Sequence, residues 1–156
     1  ADSLYEAAGK LTDTSASKSL FKKADKVTND ITSAVKDYVK NYNSLIEEAA
    51  DTTNSKVTGK VSFMTGQANA YKSSLEKVGI TINSDKTLSI DEDTFKKSDI
   101  SDVKKLFNGS GSMAYQTFVR ASDISSAAEN ASASVTSYGA DGMYNNYYNS
   151  AYNWYL

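Results

Sequence analysis

Six carboxylates crowd the segment KVGITINSDKTLSIDEDTFKKSDISDVKKLFNGSG, residues 77–111: Asp85, Asp91, Glu92, Asp93, Asp99 and Asp102. Carboxylates at this density can ligate calcium, act as an acid–base pair, or cap helices. The best calcium-loop register starts at Asn83 and puts Asp85 and Thr87 at the third and fifth positions. It then fails where the ion is most demanding. Leu88 stands where the sharp turn needs glycine, and Thr94 stands where bidentate ligation needs glutamate. Acid–base catalysis needs two carboxyls held in opposed environments, and nothing in the spacing singles out such a pair. Asp91 and Asp93 precede or open EDTFKK, and Ser98 and Asp99 precede ISDVKKLF. Anionic side chains there accept backbone N–H bonds and meet the positive end of a helix. The cluster therefore reads as helix-start chemistry.

Other chemistries narrow by composition. The 156-residue chain has no Cys and no His, which removes zinc sites of the usual kind, thiol catalysis and Ser-His or Cys-His arrangements. Lys and Arg total 17 against 19 Asp and Glu, a net charge of −2, so no basic excess draws in nucleic acid. The expectation is a non-enzymatic protein with no cofactor and no metal. No run reaches the roughly 20 apolar residues that span a bilayer, and no signal peptide opens the chain. A start at Ala1 fits a processed secreted protein or a trimmed chain.

The elements around the cluster are helical. Leu20, Ala24, Val27, Ile31, Ala34, Tyr38, Tyr42, Leu45 and Ala49 recur in steps of mostly three and four, with one stutter near Tyr38. They predict an amphipathic helix with a narrow seam. Val57, Val61, Met64, Ala68, Tyr71, Leu75 and Val78 predict a second, capped by Asn54 or Ser55 and closed by Gly79. The short 51–54 connection makes the two antiparallel neighbours. Ala114, Phe118, Ala121, Ile124, Ala128, Ala131, Val135 and Tyr138 predict a third, whose Ala/Ser seam buries little area per turn and weakens beyond Ala128. The absence of Pro suits long helices.

Between the second and third helices, GITIN and TLSID alternate apolar and polar residues around the turn SDK, which predicts a β-hairpin with Ile80, Ile82, Leu88 and Ile90 as its apolar positions. Two short helices carrying Phe95, Ile100, Val103, Leu106 and Phe107 follow it. A two-stranded hairpin is marginal alone, so its apolar face must pack on the helix pair.

The ordered set Tyr42, Asn43 and Leu45; Val78, Gly79 and Ile80; Asp85, Thr87, Leu88, Ser89 and Asp91; and Val103, Leu106 and Phe107 resembles the C-terminal region of the flagellar filament-cap family, hook-associated protein 2, over residues 38–114. The chain departs from that family in lacking a recognisable N-terminal motif and a large variable head domain. It also ends in a Tyr/Asn-rich stretch where the family has a long coiled-coil helix. The resemblance implies an extracellular structural protein of the bacterial flagellum or cell surface. It also implies self-association, or contact with flagellin and other hook-associated proteins.

The expected fold is mainly α (α+β): an antiparallel bundle of three long helices with a small hairpin and two short helices inserted. Residues 1–18 form a lead-in, 19–137 the bundle with the hairpin module at 79–111, and 138–156 a tail. That tail holds six of the eleven Tyr residues and the only Trp. Residues 112–156 are expected to carry the association surface, with Phe118, Ile124, Tyr147, Tyr148 and Trp154 as anchors. An alternative function is a cell-surface adhesion module that contacts a glycan or host-surface ligand through the tail.

Overall fold

A computed structural model describes residues 1–15 and 17–137, with side chains to residue 133. The order is α1 (Asp2–Thr12), α2 (Asn29–Asp51), α3 (Ser55–Ala68), a 3-10 turn (Asn69–Tyr71), α4 (Lys72–Lys77), β1 (Ile80–Ile82), β2 (Leu88–Ile90), α5 (Glu92–Lys96), α6 (Ile100–Phe107) and α7 (Met113–Ser137). The chain is mainly helical with one two-stranded antiparallel sheet, in which Ile80 pairs with Ile90 and Ile82 with Leu88. The hairpin lies where the alternation predicted it.

The expectation of three long helices needs three corrections. First, residues 2–12, read as part of the lead-in, form a helix whose Leu4, Ala8 and Leu11 are buried. This helix packs along α7 and α2. Second, α2 starts at Asn29 and not near Leu20. Thr28 ends the preceding segment in an extended conformation, and its hydroxyl accepts the Ile31 N–H. Upstream, Lys104 Nζ donates to the Ala24 carbonyl at 3.0 Å. Phe21, which lies off the predicted seam, is the residue this segment inserts into the core. Third, the second helix is divided by the tightened turn at Asn69–Tyr71. α3 packs on α7, whereas α4 packs on β1 and α6. The turn marks where one apolar seam passes from one set of neighbours to the other.

One core runs through the whole assembly. Tyr38, Tyr42, Phe95 and Phe107 form its aromatic centre, with Tyr38 edge-on to Phe107 at 5.7 Å. The two tyrosines differ in one respect. Tyr38 Oη shares a 2.8 Å hydrogen bond with Thr117 Oγ1, tying α2 to α7. Tyr42 Oη is buried with no hydrogen-bond partner among the described residues. Burial pushes both phenols up from their ordinary pKa. A buried hydroxyl without a partner costs about 1–3 kcal/mol, and an apolar replacement of the same shape removes that cost. Tyr42→Phe is therefore expected to leave stability unchanged or raise it by up to about 1 kcal/mol. Tyr38→Phe should lower it by about 1–2 kcal/mol, since it strands Thr117. Urea unfolding midpoints of the two variants check this. Equal losses would show that Tyr42 Oη is satisfied in solution.

Besides its core packing, the hairpin is hydrogen-bonded to α2 through the Asn43 side chain. Asn43 Nδ2 donates to the Leu88 carbonyl at 2.9 Å, and Leu88 N–H donates to Asn43 Oδ1 at 2.7 Å. These Leu88 groups are the ones that point away from β1. The amide completes the edge of β2 as another strand would.

Candidate association surface

The acidic segment resolves into local structure. Asp85 accepts from the Thr87 N–H inside the hairpin turn, where Lys86 sits at φ 74°. Asp91 caps α5 by accepting from Thr94 N–H, and Asp99 caps α6 by accepting from Ser101 N–H. All three carboxyls lie below their ordinary pKa. Hydrogen bonds from Thr87, Thr94 and Ser101, respectively, are the main cause. Glu92 bridges Lys36 of α2 at 2.7 Å and Lys96 of its own helix at 2.8 Å. Those two lysines lower its pKa to about 2. Among the described residues no group of three or more acidic side chains is placed to hold a metal ion. No helix of the described residues is long and apolar enough to cross a membrane.

The anchors named from the sequence divide in three. Ile124 is a core residue at 1% exposure. Phe118 is half-buried and stacks on Tyr5 of α1 with ring centroids 4.2 Å apart. Tyr147, Tyr148 and Trp154 lie outside the described residues. Phe118 is taken up by α1, whose own buried face is Leu4, Ala8 and Leu11.

The stretch of α7 that follows Ile124 borders two clefts. Ala1 and Ala128 line the same cleft. The Ala seam continues here with Ala128 exposed and Ala131 half-buried. A cleft opens on each flank of this stretch. One, of about 540 Å³, is floored by Leu45, Ala49, Val57 and Ile124 and bordered by Glu48. The other, of about 590 Å³, lies towards α3 and is lined by Lys56, Lys60, Asp123, Ser126, Ala127 and Asn130. Ala131 and Asn54 line both.

The α3 side also carries the most exposed large apolar residue described, Phe63 at 54%. Arg120 lies 4.7 Å from its ring centroid and is itself held by Gln67 Oε1 and Asp123 Oδ2, both at 3.2 Å. Such a clamp fixes an aromatic side chain at the surface without burying it.

This end of the molecule is thus apolar in its floor and charged at its rim. Residues 56–153 match the family model described as flagellar hook-associated protein 2 C-terminus. No curated protein and no solved structure matches the chain. The match begins at the start of α3 and covers more than half of the chain, including the hairpin, α5, α6 and all of α7.

Proposed function

This chain belongs to the flagellar hook-associated protein 2 C-terminus family, and from that membership we propose that it is a non-enzymatic structural and assembly protein that works by helix-mediated self-association. In this reading it acts outside the cell, on the flagellum, where copies of the chain or flagellar subunits such as flagellin and other hook-associated proteins cover the open end of the bundle. The observation that carries the proposal is the Ala seam of α7. Its Ala128 and Ala131 line clefts beside Leu45, Ala49 and Val57. Small residues on a helix allow close approach of a second helix. The apolar floor of Leu45, Ala49 and Val57 adds area that is lost to water until something covers it.

Ala131→Asp tests the proposal. The site is half-buried at the cleft and away from the core, so the melting temperature should hold within a few degrees. Concentration-dependent association of the full chain in sedimentation equilibrium should fall at least ~10-fold, because a charge enters an apolar contact. Association equal to that of the parent chain would place the contact elsewhere.

A further inference from the structure

The outer face of α3 carries three features that packing within the described residues does not explain. Phe63 stands in solvent with the Arg120 guanidinium over its ring. Gly59 and Gly66 lie on the same face, four residues before it and three after. Both are exposed, and a Cβ at either would meet nothing within 4 Å. No neighbour demands glycine there, and glycine inside a helix is unfavourable. The result is an aromatic ring between two shallow notches. Lys56 and Lys60 lie towards the N-terminal end of this face, exposed and in no ion pair among the described residues. Arg120 reaches Gln67 while Ala131 shares a cleft with Asn54, so α7 runs antiparallel to α3 and ends at Ser137, beyond the start of α3.

The sequence after Ser137, outside the described residues, is patterned to match. In helical spacing Tyr144, Tyr147, Tyr148, Tyr152, Trp154 and Tyr155 fall on one side, and Asn145, Asn146, Asn149, Ser150 and Asn153 fall on the other. Gly139 and Gly142 precede this stretch, where a chain reversal needs them. We propose that residues 143–155 turn back as a helix along the outer face of α3 and lay this aromatic side against Phe63, with Gly59 and Gly66 admitting the rings. The lengths agree. Phe63 lies about 22 Å back along the bundle from the level of Ser137, and a helix over 143–155 spans about 18 Å after its turn. Asp141, the one charged side chain of 138–156, enters beside Lys56 and Lys60. The contact is made within one chain, on a face of α3 that the Ala seam does not use. It also masks the stretch, so a partner that takes Tyr147, Tyr148 or Trp154 must first release them from α3.

Trp154 is the only tryptophan of the chain and reports this contact directly. Acrylamide quenching of its fluorescence is measured in the full chain over a dilution series, with a free peptide of residues 138–156 as the reference for an uncovered indole. Trp154 should be quenched less in the chain than in the peptide, and equally at every concentration, because the contact is intramolecular. Phe63→Ala removes the central aromatic anchor and should lower the docked-to-free ratio about tenfold, bringing quenching close to that of the peptide. Gly59→Gln fills one notch while favouring the helix, and should uncover Trp154 in the same way. Circular dichroism should show the bundle intact in both variants, since both positions are exposed. Quenching in the parent chain equal to that of the peptide, or shielding that survives both substitutions, overturns the proposal. Shielding that fades on dilution overturns it as well, because a second copy then holds the stretch.

Discussion

Gly79→Ala should cost the chain about 3 kcal/mol or more of stability, from two sources that a control can separate. Gly79 ends α4 and starts β1 with φ at +78°, a conformation that costs a residue with a Cβ roughly 1–2 kcal/mol. Space is the second source. A Cβ there would lie 2.8 Å from Thr94 Cβ, 2.9 Å from Thr94 Cγ2 and 3.1 Å from the Asp91 carbonyl oxygen. None of these is the free end of a flexible side chain. Asp91 N–H also donates to the Gly79 carbonyl at 2.8 Å, so moving either segment opens the base of the hairpin. Gly109 has almost the same backbone, with φ at +84°, and nothing within 4 Å of an added Cβ. Gly109→Ala should therefore show the strain alone, about 1–2 kcal/mol. Denaturant unfolding of both variants gives the comparison. Equal losses would mean that the α5 contact at Gly79 yields freely.

Asn43→Ala is the second large effect, at about 2–4 kcal/mol. It strands an N–H and a C=O of Leu88, a residue only 3% exposed, and removes these hydrogen bonds between the hairpin and α2. Asn43→Asp keeps the acceptor for the Leu88 N–H but sets a carboxylate oxygen against the Leu88 carbonyl. Repulsion and desolvation raise that carboxyl's pKa in the folded chain above its unfolded value near 3.9. A group with a raised folded pKa favours the folded state below its unfolded pKa and loses that contribution as pH rises through the folded one. Measured against the parent chain at each pH, Asn43→Asp should match Asn43→Ala at neutral pH and recover part of the loss towards pH 4. A pH-independent difference between Asn43→Asp and the parent would show that the side chain does not face the strand.

Much of this fold was legible because its signals are local. Alternation gave the hairpin, and the Thr81–Ser89 neighbourhood shows no departure from the simplest register. Asp91 and Asp99 cap the helices that follow them, as their positions implied. The errors came where periodicity outlasted the helix. Leu20, Ala24 and Val27 keep the spacing of the α2 seam, yet Thr28 caps the helix after them and a lysine 80 residues away takes the Ala24 carbonyl. Periodicity reports which face is apolar, and these residues do pack on the core. It does not report where the backbone hydrogen bonds go.

The surface was harder to read for a related reason. Phe118 is stacked on Tyr5 of α1, a helix that the seams of the longer helices do not announce. Leu4, Ala8 and Leu11 carry a four-then-three spacing that would have revealed it. The Asn43 role had no local signal at all, since its partner lies 45 residues on.

Hydrogen exchange of the full chain at low and high protein concentration addresses the central claim most directly, because it reports where an association forms as well as whether one does. The account predicts that amides of residues 125–133 and of the adjoining ends of α2 and α3 exchange more slowly as concentration rises, while those of the hairpin at 80–90 do not change. Exchange independent of concentration throughout, or protection gained only outside the open end of the bundle, would contradict it.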